Sequence, residues 1–182
     1  EICQTVTRLA EEMQFTIYDE REATGVLRYL AIRCDRERKH FLVSIVAGED
    51  VGRPLRLLAE RLREAHPDVV GVTLHLNSRH SNVIFAGEDA WTLGAPRLED
   101  HVGRFQVFVS PRSFLQVNHA QAEWIYDRLE AQLEAPSPRA ATGEELVLDL
   151  YCGIGGSALH LARPGRLDEG VEGSAEAGEV AR

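Results

Sequence analysis

Cysteine, methionine and tryptophan are scarce: 182 residues carry three Cys, one Met and two Trp. The cysteines (Cys3, Cys34, Cys152) are odd in number and have no paired spacing. That excludes a disulfide scaffold and a four-cysteine zinc site, and it predicts a reducing compartment, the cytoplasm. No apolar run approaches the roughly 18 residues of a membrane span, so no transmembrane helix is expected. The opening Glu1-Ile2-Cys3-Gln4 lacks the basic-then-apolar layout of a signal peptide. It also lacks an initiator Met, and the chain is expected to be a piece of a longer polypeptide. A positive balance is missing too. The net charge is −9, distributed as −3 over residues 1–96, zero over 97–128 and −6 over 129–182. No segment is a basic stripe, so a polyanion would have to be gripped by individual arginines such as Arg79, Arg104 and Arg112. The seven histidines, among them His75, His80, His101, His119 and His160, show no HxH or HxxxH ligand spacing, and no metal is expected.

What remains is an ordinary globular composition, 44% hydrophobic and 27% charged, enough for a folded core. Val6, Leu9, Ala10 and Met13 have helical spacing. Phe15–Tyr18, Val26–Arg33 and Phe41–Val46 read as strands, and residues 54–65 as a helix stopped by Pro67. Val69–Leu76 and Val83-Ile84-Phe85 read as two further strands, and the whole as a small α+β module. Phe105–Val109 alternates as a strand that Pro111 ends. Residues 118–134 form a helix with Ala122, Ile125, Tyr126, Leu129 and Leu133 on one face, capped by Asn118 with Gln121 three positions on. A linker-like loop follows through Gly143, and the tail from 168 onward drifts toward low complexity. Trp91 and Trp124 could stack on a base, but core or interface packing is the favoured reading.

Chemistry concentrates in Glu145–Ala162: an apolar strand, Asp149, the turn Tyr151-Cys152-Gly153-Ile154-Gly155-Gly156, then an apolar-periodic helix. Glycines let backbone approach a ligand, and the helix start offers free N–H groups. Gly153-x-Gly155-x-x-Ala158 also fits the dinucleotide fingerprint. Asp149 argues against that reading, because a carboxylate four positions before the first glycine disfavours a pyrophosphate. It suits the cationic sulfonium and amino groups of S-adenosylmethionine. Glu172 lies 19 residues past Gly153, where the end of a second strand would set it against ribose hydroxyls. Cys152 has no basic neighbour to generate a thiolate and reads as a small buried side chain.

The segments "SPRSFLQVNHAQAEWIYDRL", "VLDLYCGIGGSALHLA" and "GVEGSAEA" resemble the RNA uracil-5 methyltransferases, S-adenosylmethionine-dependent enzymes that make 5-methyluridine in tRNA or ribosomal RNA. "YDEREATGVLRYLAIR" and "VVGVTLHLNSRHSNVIFAGED" are similar to that family's central domain, so the resemblance covers nearly the whole chain. The pairing of Phe-x-Gln-Val-Asn with Asp-Leu-Tyr-Cys-Gly is far more specific than a glycine turn alone.

The resemblance implies an α/β fold: a central α+β module over residues 1–110, then the N-terminal part of a Rossmann-like class I methyltransferase domain over 111–182. It implies cofactor binding by Gln116, Tyr151, Gly153, Gly155, Gly156 and Glu172, beside Asp149. Helix entry and capping is the plainer role for Gln116 and Asn118, and core packing for Tyr151. The resemblance implies RNA as partner and a monomeric protein without a membrane anchor. In the family, a cysteine adds to uracil C6 and a glutamate-type base removes the C5 proton. Those residues fall in the C-terminal half of the methyltransferase domain, past Arg182, and this chain by itself is expected to be inactive. The family's N-terminal β-barrel and four-cysteine cluster have no counterpart in this sequence. Arg166–Gly170 departs from the apolar second strand that should lead into Glu172, which puts its register in question. Two rival readings are a non-catalytic RNA-binding or interaction module and a nicotinamide-binding enzyme.

Overall fold

The computed structural model describes residues 1–133, 145–164 and 166–173, and the chain divides into two units. The first comprises Glu1–Leu98 with Ser110–Arg112, the second Glu99–Val109 with Ser113–Arg182. The linker expected through Gly143 and the tail past Gly173 lie outside the described residues.

In the first unit, helix α1 (Ile2–Glu12) precedes strands β1 (Leu27–Cys34) and β2 (Phe41–Ala47), helix α2 (Arg53–Ala65), and strands β3 (Val69–Leu76) and β4 (Glu88–Gly94). The sheet order is β1-β2-β3-β4, with β2 and β3 parallel and both edge pairs antiparallel. Helical spacing puts Leu55, Leu58 and Leu62 of α2 on one stripe, all fully buried. Each such side chain contributes about 1.5–3 kcal/mol over leaving it exposed. They join Ile2, Val6 and Leu9 of α1 and Val43, Ile45, Val72 and Leu74 of the sheet in one core, which Trp91 flanks.

Two readings of this unit need correction. Val83-Ile84-Phe85 is loop rather than strand: the Val83 and Ile84 carbonyls turn in to the buried Asn77 amide instead of to a neighbouring strand. The true fourth strand begins after Gly87. Phe15–Tyr18 is not a strand either; it contributes only a bridge from Ile17 to Leu27.

In the second unit, β5 (Leu98–Val102) and β6 (Phe105–Val109) pair across a turn at Gly103. Then follow α3 (His119–Leu133), β7 (Glu145–Leu150), α4 (Gly156–Leu161) and β8 (Arg166–Val171). The Asn118 side chain accepts from the Gln121 N–H at 3.2 Å, as the capping pattern requires. The apolar face expected on α3 is largely open: Ala122 is buried, but Ile125 and Leu129 are 45% and 39% exposed. β7 and β8 run parallel, with Asp149 beside Gly170 and Leu150 beside Val171. Asp168, the acid that made β8 doubtful, is neutralised by Arg166, whose Nε donates to it at 3.1 Å. Leu146, Leu148, Leu150, Leu167 and Val171 lie exposed along the opposite face of the pair. Each unit combines strands and helices, so the chain is mixed α/β.

Candidate cofactor site

The apolar run of β7 ends at Leu150, and the chain then reverses through Tyr151, Gly153 and Gly155, all at positive φ (63°, 58° and 82°). Glycine takes such angles freely, while Tyr151 is held there by its N–H donating to the Val171 carbonyl at 2.7 Å. Cys152 also donates its N–H to Val171, and Gly155 donates to Cys152. The turn is therefore hooked over the end of β8. Gly155 is the left-handed residue from which α4 starts.

Two carboxylates frame this turn. Glu172, one residue past β8, accepts a hydrogen bond from the Gly153 N–H at 2.8 Å. Asp149 accepts one from the Ser157 hydroxyl at the start of α4. Burial first, and then the charges of Asp149 and Glu172, push the Cys152 thiol above its ordinary range, which keeps it protonated and poorly nucleophilic. Burial and Asp149 likewise raise the Tyr126 phenol.

A cavity of about 220 Å³ opens on the turn. Gln116 enters from the segment before α3, Tyr126 from α3, and Tyr151, Gly153, Gly156 and Ser157 from the turn and α4. Of the expected residues, Gln116, Tyr151, Gly153 and Gly156 line it, Gly155 lies within the turn, and Asp149 and Glu172 reach it through Ser157 and Gly153. Tyr151 is 88% exposed rather than packed in a core. Sequence reasoning missed Ser157 and Tyr126 as lining residues. Ser157 stood in the first turn of the helix, a position from which a hydroxyl reaches back to the strand end, whereas Tyr126 was hidden in an apolar stripe. A β-branched residue at 156 would crowd the Tyr126 hydroxyl, since even a Cβ there would sit 3.0 Å from it.

Among the described residues one group could hold an ion: Asp127, Glu130 and His160. Its geometry is that of an imidazole paired with two helix carboxylates, His160 Nε2 lying 3.1 Å from Asp127 and 3.8 Å from Glu130. Of the three arginines considered for RNA, Arg112 faces Asp89, and Arg104 donates to the Ala162 carbonyl and lies over Phe105. Trp91 packs against the core and Trp124 is 57% exposed, with Arg128 over its ring.

No protein-family model matches the chain. It is 30% identical over 172 residues to an uncharacterised RNA methyltransferase of Staphylococcus epidermidis, covering 94% of this chain and 36% of that protein. With an uncharacterised RNA methyltransferase of Geobacter sulfurreducens it shares 35% over 156 residues, 86% of this chain and 30% of that one. The chain is a relative of RNA methyltransferases. It spans about a third of the length of the curated relatives it matches. Among solved structures, a tRNA (uracil-54, C5)-methyltransferase of Pyrococcus abyssi in complex with S-adenosyl-L-homocysteine superposes with a TM-score of 0.76 at 22% identity. The match covers 98% of this chain and 41% of that one, and it shows the shared fold. No helix among the described residues of this methyltransferase relative is long and apolar enough to cross a membrane.

Proposed function

We propose that the chain forms the S-adenosylmethionine-binding part and central domain of an RNA methyltransferase, whose parent protein methylates carbon 5 of uridine in tRNA or ribosomal RNA in the cytoplasm. One observation carries the reading: Asp149 and Glu172 bracket a glycine turn whose backbone is tied to Glu172. Two carboxylates at this turn suit a cationic nucleoside and oppose a dinucleotide's pyrophosphate. The donor set fits S-adenosylmethionine, which when bound supplies a methyl group on a sulfonium.

Asp149 would attract the amino and sulfonium charge at the strand end, with Ser157 fixing its carboxylate. Glu172 would keep its hydrogen bond from Gly153 and turn its carboxylate toward the ribose hydroxyls. Gln116, exposed at the cavity edge, would hydrogen-bond the ligand, and Tyr151 would offer it an aromatic face. At about 220 Å³ the cavity is below the roughly 300–1,000 Å³ of complete ligand pockets, so it would hold part of the cofactor. The paired Phe-x-Gln-Val-Asn and Asp-Leu-Tyr-Cys-Gly motifs support uridine C5 as the acceptor. The three free cysteines support a reducing compartment.

Calorimetry tests the assignment. S-adenosylhomocysteine should bind, and Asp149→Asn and Gln116→Ala should each weaken it, by about tenfold for the loss of one ligand hydrogen bond to or from a charged group. Heat from NADH with none from S-adenosylhomocysteine would overturn it.

A further inference from the structure

The connection between β3 and β4 is eleven residues long, 77–87, where an antiparallel pair needs only two to five. Its backbone is gripped from inside. The Arg28 side chain, fully buried, donates from Nη1 to the carbonyls of Asn77 (2.6 Å) and Arg79 (2.9 Å) and from Nη2 to that of Ser81 (3.3 Å). Its charge is balanced by Glu20, at 3.0 and 3.1 Å, and its guanidinium carbon lies 4.2 Å from the Tyr18 ring centroid. Hydrogen bonds from Tyr29 and Arg28 hold the Glu20 carboxyl below the usual carboxylate range. Asn77, also fully buried, donates to Val83 and Ile84 and accepts from the Arg79 N–H. Buried His75 accepts the Gly87 N–H on Nε2 at 3.2 Å, which leaves Nδ1 to donate to Asp89 at 2.7 Å, with Phe85 edge-on to its ring.

With its carbonyls turned inward, the loop shows its side chains to solvent. Ser78, Arg79, His80 and Asn82 are exposed, and beside them Val83 and Ile84 are 56% and 39% exposed. The Arg79 guanidinium has no partner among the described residues. Burying an arginine to hold a loop that leaves aliphatic side chains in water serves a hairpin poorly. It serves a binding loop well, because a preorganised loop loses little entropy when it binds. We propose that residues 78–84 contact an unpaired stretch of RNA, Arg79 and His80 meeting phosphates and Val83 and Ile84 lying against a base. This rests on the reading of the chain as part of an RNA methyltransferase. The chain's acidic balance makes the local cations decisive, since no diffuse positive field exists to hold a polyanion.

The test is fluorescence anisotropy of the 182-residue chain with a labelled single-stranded oligouridine. Arg79→Ala with His80→Ala should weaken binding tenfold or more while leaving the melting temperature unchanged, because neither side chain supports the core. Arg79→Lys should restore most of the affinity, and Arg79→Ala alone should lower the salt slope by roughly 0.7, one single-strand phosphate contact. RNA carrying 4-thiouridine should photocross-link within residues 78–84. Unchanged affinity in the double variant, cross-links confined to other segments, or no RNA binding by the unmodified chain would each overturn the loop assignment. S-adenosylhomocysteine calorimetry on the same samples separates the two ideas. If that ligand binds and the double variant still holds RNA fully, the loop assignment alone fails.

Discussion

The Glu172 carboxylate accepts a hydrogen bond from the Gly153 N–H at 2.8 Å, tying the end of β8 to the glycine turn after β7. The two residues are 19 apart in sequence, and the parallel register of β7 and β8 brings them together. Removing this carboxylate should loosen the turn and delete the proposed ribose contact together. Glu172→Ala is expected to cost S-adenosylhomocysteine affinity about ten- to a hundredfold, the range for a charge-assisted hydrogen bond. Glu172→Gln keeps an acceptor for Gly153 and should lose less. Equal affinity in all three proteins, by calorimetry, would remove Glu172 from the site.

Cys152 feels the charges of two acids, Asp149 and Glu172. Burial, Asp149 and Glu172 raise its thiol in that order, so its thiolate forms at higher pH than that of a free cysteine. Cys3 and Cys34 are exposed and should be alkylated by iodoacetamide first at pH 8. Asp149→Asn removes one of the raising charges and should shift the Cys152 alkylation profile to lower pH, read by peptide mass spectrometry. Cys152 reacting as fast as Cys34 would contradict this arrangement.

The legible parts were those where one local pattern determines the structure. The turn around Gly153 follows from an apolar strand, glycines and a helix start in succession, and α2 from an unbroken stripe ending near Pro67. Long-range partners were not legible. Val83-Ile84-Phe85 has strand propensity, but Asn77 takes its carbonyls, and β4 hides behind the polar start Glu88-Asp89. The burial of Arg28 depends on carbonyls 49 to 53 positions downstream, which no local pattern announces. β8 looked too acidic for a strand, yet period 2 puts Asp168 beside Arg166 and turns Glu169 to solvent.

Two glycines outside the cofactor site separate close approach from backbone angle. A Cβ on Gly87 would lie 1.6 Å from the Leu76 carbonyl oxygen, so Gly87→Ala must displace backbone where the 77–87 loop joins β4. It should cost about 3 kcal/mol, at the upper end of overpacking effects. Gly52 has open space around its Cβ position but a φ of +75°, so Gly52→Ala pays only for the left-handed angle, about 1 kcal/mol. Urea midpoints of the two variants should rank in that order. The reverse ranking would mean that the β3–β4 loop yields freely, against the anchoring by Arg28 and Asn77.

Asp35 closes the turn between β1 and β2 and gives the fold an acid-sensitive point. Its Oδ1 accepts from the Lys39 N–H at 2.8 Å, and its Oδ2 from the His40 N–H and ring at 3.1 and 2.8 Å. Burial alone would raise this carboxyl, but the Lys39 N–H and then the two His40 bonds outweigh it and hold it below the usual aspartate range. A depressed folded value means that the stabilisation is fully present above the unfolded aspartate value of roughly 3.9. It is lost as pH falls through the lower folded value. Asp35→Asn should therefore lower the urea midpoint at pH 7 by the equivalent of about 1.5 kcal/mol, the scale of hydrogen bonds to a charged group. The gap between variant and parent should narrow only below about pH 4, as the parent's own carboxyl is protonated. A gap that stayed constant from pH 7 to pH 2.5 would show that the charge on Asp35 contributes nothing to the turn, leaving its shape alone to be maintained by the neutral amide.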